Sequence, residues 1–158
     1  MRAVIQRVKK ARVQTEGGDS EQIEHGLVVL LGIEKEDKEN DSQYLAEKIS
    51  NLRLFPNEEK EFEKTVVEIN GEILVISQFT LYADCRKGRR PDFTQAARAE
   101  KAKFLYETFV EKLKKNGLKI KTGKFGAKML VEIHNDGPVT IILDTDKVIG
   151  LAPHLCSE

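Results

Sequence analysis

The chain has 158 residues, 40% of them hydrophobic and 33% charged, with 26 Lys/Arg balanced by 26 Asp/Glu. That is the composition of one folded domain, neither disordered nor membrane-embedded, and at this length roughly 70% of the unfolded surface can be buried around a single core. No apolar run approaches the ~20 residues of a bilayer span, and Met1 to Val4 leads straight into a strand-like pattern instead of a signal peptide, so a cytoplasmic protein without membrane contact is expected.

Residues 2–8 and 10–15 alternate or run apolar through Val4, Ile5, Val8 and Val13, and Glu16-Gly17-Gly18-Asp19 reads as a turn before a short segment around Ile23. Leu27 to Ile33 has the length and β-branching of a buried strand. A helix follows: Asp41 or Ser42 can cap it, Tyr44, Leu45, Ile49 and Leu52 recur at three and four, and Pro56 lies beyond its end. Residues 56–64 read as a charged loop. Thr65–Ile69 and Glu72–Phe79 flank Asn70-Gly71, the dipeptide that best suits a two-residue type I′ turn, so a hairpin is expected there. A longer helix starts near Asp92 or Thr94, carries Ala102, Leu105, Phe109 and Leu113 on one stripe, and stops at Asn116-Gly117. Strands at about 118–122, 129–134 and 139–144 complete the domain, and Val148, Ile149 and Leu151 make the tail apolar enough to dock. This order predicts an α+β fold: a layered α/β/β arrangement of mainly antiparallel sheets forming a partly closed barrel, with two amphipathic helices. The domain is expected over residues 1–145, with 146–158 as a C-terminal tail.

The zero net charge hides a division along the chain. Residues 16–72 hold six Lys/Arg against 16 Asp/Glu, whereas residues 86–128 hold 14 against four. The second stretch, with Arg86-Lys87-Gly88-Arg89-Arg90 and the lysines from Lys112 to Lys128, is a candidate polyanion surface, and a solvated Lys/Glu surface is the plainer alternative. Cys85 and Cys156 are too few for a disulfide framework. With His25, His134 and His154 they show no local metal-ligand spacing, and no cofactor is implied.

Two short stretches remain. In the first, the apolar run from Ile73 to Ile76 gives way to Ser77-Gln78-Phe79-Thr80-Leu81, so polar groups gather at one end of a buried strand. A hydroxyl there needs a base within reach to act as a nucleophile, and no His, Lys or acid is a neighbour in sequence; Ser77 and Thr80 bonding local backbone is the simpler reading. In the second, Asn135-Asp136-Gly137-Pro138-Val139-Thr140, an Asp-Gly-Pro turn between strands has at Gly137 no Cβ to keep a ligand away.

These two stretches together resemble the signature motifs of the D-aminoacyl-tRNA deacylase family. The resemblance extends through Ile5-Gln6-Arg7-Val8, Leu30-Leu31-Gly32-Ile33, Arg90-Pro91-Asp92-Phe93 and the run from Thr122 to Met129, and covers residues 1 to about 145. It implies a homodimer with its active sites at the subunit interface that hydrolyses the ester between a D-amino acid and the terminal ribose of tRNA. A cis Gly137-Pro138 peptide would reach from one subunit into the pocket of the other and reject L-amino acids, with Arg7 holding that peptide. Ser77, Gln78, Phe79 and Thr80 would line the pocket, and Phe125 and Met129 would receive the terminal adenosine. Catalysis would rest on the substrate's own ribose hydroxyl and on backbone N–H near Phe79, and glycyl-tRNA would also be cleaved. Attack by Thr80, a non-catalytic nucleic-acid-binding dimer, and an esterase for simple D-amino-acid esters stand as alternatives.

Overall fold

The computed structural model describes residues 1–146 of the chain. Its elements are β1 (Arg2–Thr15), β2 (Ser20–Ile23), β3 (Gly26–Gly32), α1 (Glu39–Asn51), β4 (Arg53–Phe55), β5 (Lys64–Thr65), β6 (Glu72–Ser77), a 3₁₀ turn (Phe79–Tyr82), α2 (Ala99–Lys115), β7 (Lys119–Thr122) and β8 (Met129–Asp144). The main sheet runs β2-β1-β3-β6-β7, with β8 on β1. β1 is the spine: its first half pairs with β3, its second half with β2, and β8 follows it from end to end.

Both faces of this sheet are apolar because the central strands are apolar runs and not alternations, as β3 (Gly-Leu-Val-Val-Leu-Leu-Gly) shows. On one face α1 and α2 lay Leu45, Ile49, Leu105, Phe109 and Leu113 over Ile5, Leu27, Val29, Ile73 and Val75. On the other, Val8, Ala11, Val13, Ile23, Val28, Leu74 and Ile76 form a second cluster enclosed by the curled half of the sheet. The curl brings β2 alongside β7, where Lys121 meets Glu21 at 3.0 Å, so the barrel is nearly closed. The layered α/β/β reading therefore holds, with two helices and a mixed sheet.

Three local expectations fail for physical reasons. Asn70 takes the left-handed conformation (φ 51°) but Gly71 does not, so no type I′ turn forms. Residues 65–71 instead close short turns (Ile69 N–H to Thr65 O, Gly71 N–H to Val66 O). β6 then pairs parallel with β3 and β7, burying Ile73 to Ile76 on both faces, which a two-stranded hairpin cannot do. The second helix begins at Ala99 and not near Asp92, because the Asp92 carboxylate accepts from the Thr94 N–H (2.9 Å) and hydroxyl in a local turn and 92–98 runs on as irregular chain. The two last strands are one: β8 continues through 135–138 with an excursion. At the start of α1 Asp41 sits inside the first turn, accepting from the Lys38 N–H at 2.8 Å, while the Ser42 hydroxyl donates to Leu105 O. Gly117, with φ 84°, stops α2 as expected. The proposed docking of Val148, Ile149 and Leu151 lies outside the described residues.

Candidate active site

β3 and β6 run parallel, so their C-terminal ends come side by side, and beyond them opens a cavity of about 400 Å³. Leu31 and Ile33 end one wall, Ile76, Ser77, Gln78 and Phe79 form the next, and Phe125, Gly126, Ala127, Met129 and Val131 close it from the β7–β8 connection. Small residues near the start of α2 (Ala97, Ala99, Ala102) leave the space open. Sequence reasoning missed them: the signal was the Ala-rich stretch Ala96-Ala97-Arg98-Ala99, which reads only as helix. Phe125 is set by its contact with the buried Tyr106 ring (5.7 Å between centroids), whose hydroxyl donates to Val75 O at 2.9 Å.

Ser77, Gln78, Phe79, Phe125 and Met129, all singled out in the sequence, thus meet in one cavity. Thr80 stands beside it in the 3₁₀ turn, exposed, its hydroxyl oxygen accepting from the Gln78 side-chain amide. Among the described lining residues there is no Asp, Glu, His, Lys, Arg, Cys or Tyr, so no side chain there can deprotonate Ser77. The donors are on the backbone. Gln78 N–H is spent on Leu31 O (2.8 Å), but the N–H groups of Phe79 and Thr80, at the open start of the 3₁₀ turn, donate to no group among the described residues. Gly32 lets this turn pack close: a Cβ there would stand 3.0 Å from Leu81 Cβ and 3.1 Å from Gln78 O.

Arg7, Gly137 and Pro138 form a second group elsewhere. Gln6 pairs with Thr140 and Val8 with Asn135, so residues 136–139 loop out opposite Arg7 alone. The Asn135 amide closes the base of this excursion, accepting from Val139 N–H (2.8 Å) and donating to Val139 O (3.3 Å), and Gly137-Pro138 within it is cis. Arg7, only 3% exposed, donates to Asp136 O (2.9 Å), Leu54 O (2.8 Å) and Glu61 Oε1 (2.5 Å), and the Phe62 ring covers its guanidinium. Glu61 and Phe62, from the stretch read as patternless loop, are what hold Arg7. In register Arg7 lies opposite Leu27 and Ser77 opposite Leu31, four residues or about 13 Å apart along β3. Within this chain the two groups therefore occupy opposite ends of the sheet.

The family profile described as D-Tyr-tRNA(Tyr) deacylase matches residues 4–144. The chain belongs to the D-Tyr-tRNA(Tyr) deacylase family. Proteins named D-aminoacyl-tRNA deacylase from Thermosipho africanus (55% identical, 94% of this chain and 99% of that one) and Dictyoglomus turgidum (56% identical, 92% and 94%) are similar throughout. A solved structure named c-Myc DNA Unwinding Element Binding Protein superposes with a TM-score of 0.84 at 46% identity, over 91% of this chain and 98% of that one. A probable eukaryotic D-amino acid tRNA deacylase shares the fold at 15% identity, with a TM-score of 0.79 over 90% and 98%. With its family, the chain is a hydrolase of the class that acts on the aminoacyl-tRNA ester.

A D-Tyr-tRNA(Tyr) deacylase must meet a polyanion, and here the charge division changes meaning. The acidic β1–β2 turn and the start of β2 fold onto the later lysines: Lys128 pairs with Glu16 (2.6 Å), Lys124 with Asp19 (3.9 Å) and Lys121 with Glu21 (3.0 Å), and Lys112 reaches Glu47 of α1 (3.5 Å). Of the expected basic strip, Lys87, Arg89, Arg90, Arg98, Lys115 and Lys119 have no ion pair among the described residues. Elsewhere Glu34, Asp37 and Asp146 bring carboxylate oxygens within 4.8 Å of one another, a cluster no local spacing announced. The Met1 ammonium lies against Asp37 and 3.9 Å from Glu34, supplying counter-charge. Burial and the adjacent Asp146 push the Glu34 carboxyl up to about 7. Among the described residues no helix is long and apolar enough to cross a membrane.

Proposed function

We propose that the protein hydrolyses the ester of D-aminoacyl-tRNA in the cytoplasm, releasing the D-amino acid and free tRNA, and that it does so as a homodimer. One observation carries the chemical part: a cavity lined by apolar and small residues, with Ser77 and Gln78 as its polar side chains and two unspent backbone N–H groups, at Phe79 and Thr80, at its edge. Such a site suits a reaction in which water adds to the acyl carbon, the oxyanion is held by main-chain donors, and the terminal ribose oxygen leaves with a proton. The neighbouring ribose hydroxyl of the substrate assists, since the lining offers no base. Phe125 and Met129 take the terminal adenosine, and Ser77, Gln78, Thr80 and the backbone of Phe79 line the pocket for the aminoacyl group.

The selecting element is the Asp136–Val139 excursion. It stands at the far end of its own sheet, so it serves the cavity of a second copy, with Gly137 and Pro138 entering that pocket and Arg7 holding them from behind. β8 supports this arrangement: among the described residues it is a 16-residue edge strand paired only with β1, and it exposes Leu130 and Ile142, a surface that a monomer keeps exposed at the risk of aggregation. Backbone at the α-carbon excludes an L side chain, accepts a D one, and passes glycine, so glycyl-tRNA is a substrate as well. The domain then comprises residues 1–145, with 146–158 as an appendage.

The second reading is a non-catalytic nucleic-acid-binding dimer, favoured by the likeness, at 46% identity, to a protein named for binding a DNA unwinding element. Incubation with D-tyrosyl-tRNA and L-tyrosyl-tRNA separates the two. The deacylase reading expects rapid loss of the D ester and survival of the L ester; equal loss of both overturns selection, and loss of neither leaves the binding dimer.

A further inference from the structure

We infer that Phe79 and the loop Cys85–Pro91 form one reader for a single-stranded RNA 3′ end, in which the Phe79 ring stacks on the base preceding the terminal nucleoside and Arg89, Arg90 and Arg98 take the phosphates. This rests on the deacylase reading, and it names which part of the basic surface meets the substrate. Phe79 lines the cavity yet is 58% exposed, the largest exposure of any Phe or Tyr among the described residues. Phe93 props it edge-to-face at 5.1 Å, leaving ring surface free at the cavity mouth. Phe93 follows Asp92, and Asp92 pairs antiparallel with Asp84 through two backbone bonds of 2.8 and 2.9 Å. The loop between them, which holds Arg86, Lys87, Arg89 and Arg90, is therefore pinned to the same short unit that carries the aromatic pair.

Among the described residues Arg86 alone of these four cations is in an ion pair, with Asp84 at 2.6 Å. Arg98 lies between the cavity-lining Ala97 and Ala99, exposed and without an ion pair among the described residues. Lys121, Lys124 and Lys128 are equally basic in sequence, but Glu21, Asp19 and Glu16 already occupy them, and a phosphate there would have to displace a carboxylate. An exposed ring at the mouth of a cavity, with unpaired arginines on the loop tied to the same unit, matches single-stranded RNA ends, whose unstacked bases seek aromatic faces while each phosphate seeks a cation. A duplex offers no free base face to Phe79.

The test is titration of full-length protein with deacylated tRNA across a range of salt concentrations, with and without the unpaired 3′ nucleotides. Arg89→Gln/Arg90→Gln lowers the slope of log affinity against log salt by about 1.4, and Lys121→Gln/Lys128→Gln leaves it nearly unchanged. Phe79→Leu weakens binding roughly tenfold for intact tRNA and not for tRNA lacking its unpaired end. Equal slopes for the two double variants, or a Phe79→Leu effect independent of the 3′ end, overturn the inference. Wild-type hydrolysis of D-tyrosyl-tRNA, measured in parallel, is a separate matter: if it fails, the deacylase reading fails, whereas intact hydrolysis with unchanged binding in the variants rejects only the reader.

Discussion

The cavity end and the Arg7 end of this sheet are built on opposite principles. The cavity is made of absences: alanines, glycines and a strand that stops, with its donors supplied by backbone at the start of a 3₁₀ turn. The Arg7 end is made of commitments, with one buried guanidinium holding three acceptors from three separate segments. If the two ends act as proposed, the comparison teaches that a site selecting by shape can leave its reacting half sparse, provided that its selecting half is rigid.

Removing the commitment gives the largest effect. Arg7→Ala strips Leu54 O and Asp136 O of their donor in a buried place and leaves a void, for an expected loss of roughly 3 kcal/mol in denaturant unfolding. A loss under about 1 kcal/mol would mean that the excursion holds itself. Gly137→Ala comes next: φ is 139°, and the new Cβ would stand 2.7 Å from Val139 Cγ2 and 2.9 Å from Val139 N. A cost of about 1–3 kcal/mol is expected, with D-tyrosyl-tRNA hydrolysis down roughly tenfold or more because the excursion must move; native kinetics would break the link between its position and the activity.

The cavity end should prove softer. Glu34 touches the back of the 3₁₀ turn, where its carboxylate accepts from the Tyr82 hydroxyl at 3.3 Å. Its carboxyl is held at about 7 in the folded chain against an ordinary 4.5, so the folded state binds that proton more tightly. Its contribution is complete below pH 4.5 and declines as pH rises to about 7. Glu34→Gln should flatten that part of the Tm–pH curve while the wild type slopes downward. Thr80→Ala is the mildest change, deleting one exposed hydrogen bond to Gln78. Because such a bond contributes about 1 kcal/mol at most, kcat/KM should stay within roughly fivefold; collapse of activity would restore the side-chain nucleophile.

Strand and helix content was legible because the apolar runs of β3 and β6 and the stripe of α2 are local patterns. So was the gathering of polar groups at Ser77 to Thr80, where a buried run ends. Partner choice was not legible: Asn70-Gly71 argues for a local hairpin, but burying β6 on both faces rewards parallel pairing with β3 and β7. Nor does a charge count along the chain reveal that Glu16, Asp19 and Glu21 fold onto Lys128, Lys124 and Lys121. The motif around Gly137 was found, but its anchors Glu61 and Phe62 come from a stretch whose sequence shows no period, and only the tertiary fold brings them to Arg7.

The excursion opposite Arg7 interrupts a strand pair that resumes on both sides, from Val8 with Asn135 to Thr15 with Met129 and from Gln6 with Thr140 to Arg2 with Asp144. Its height above the sheet is thereby metered by the ladder and not by the loop's own composition. Residues can be gained or lost at the distant bends around 16–19 and 123–128 without moving it. One residue added between Met129 and Asn135 is not an option the register leaves open, since every side chain beyond the insertion would change faces.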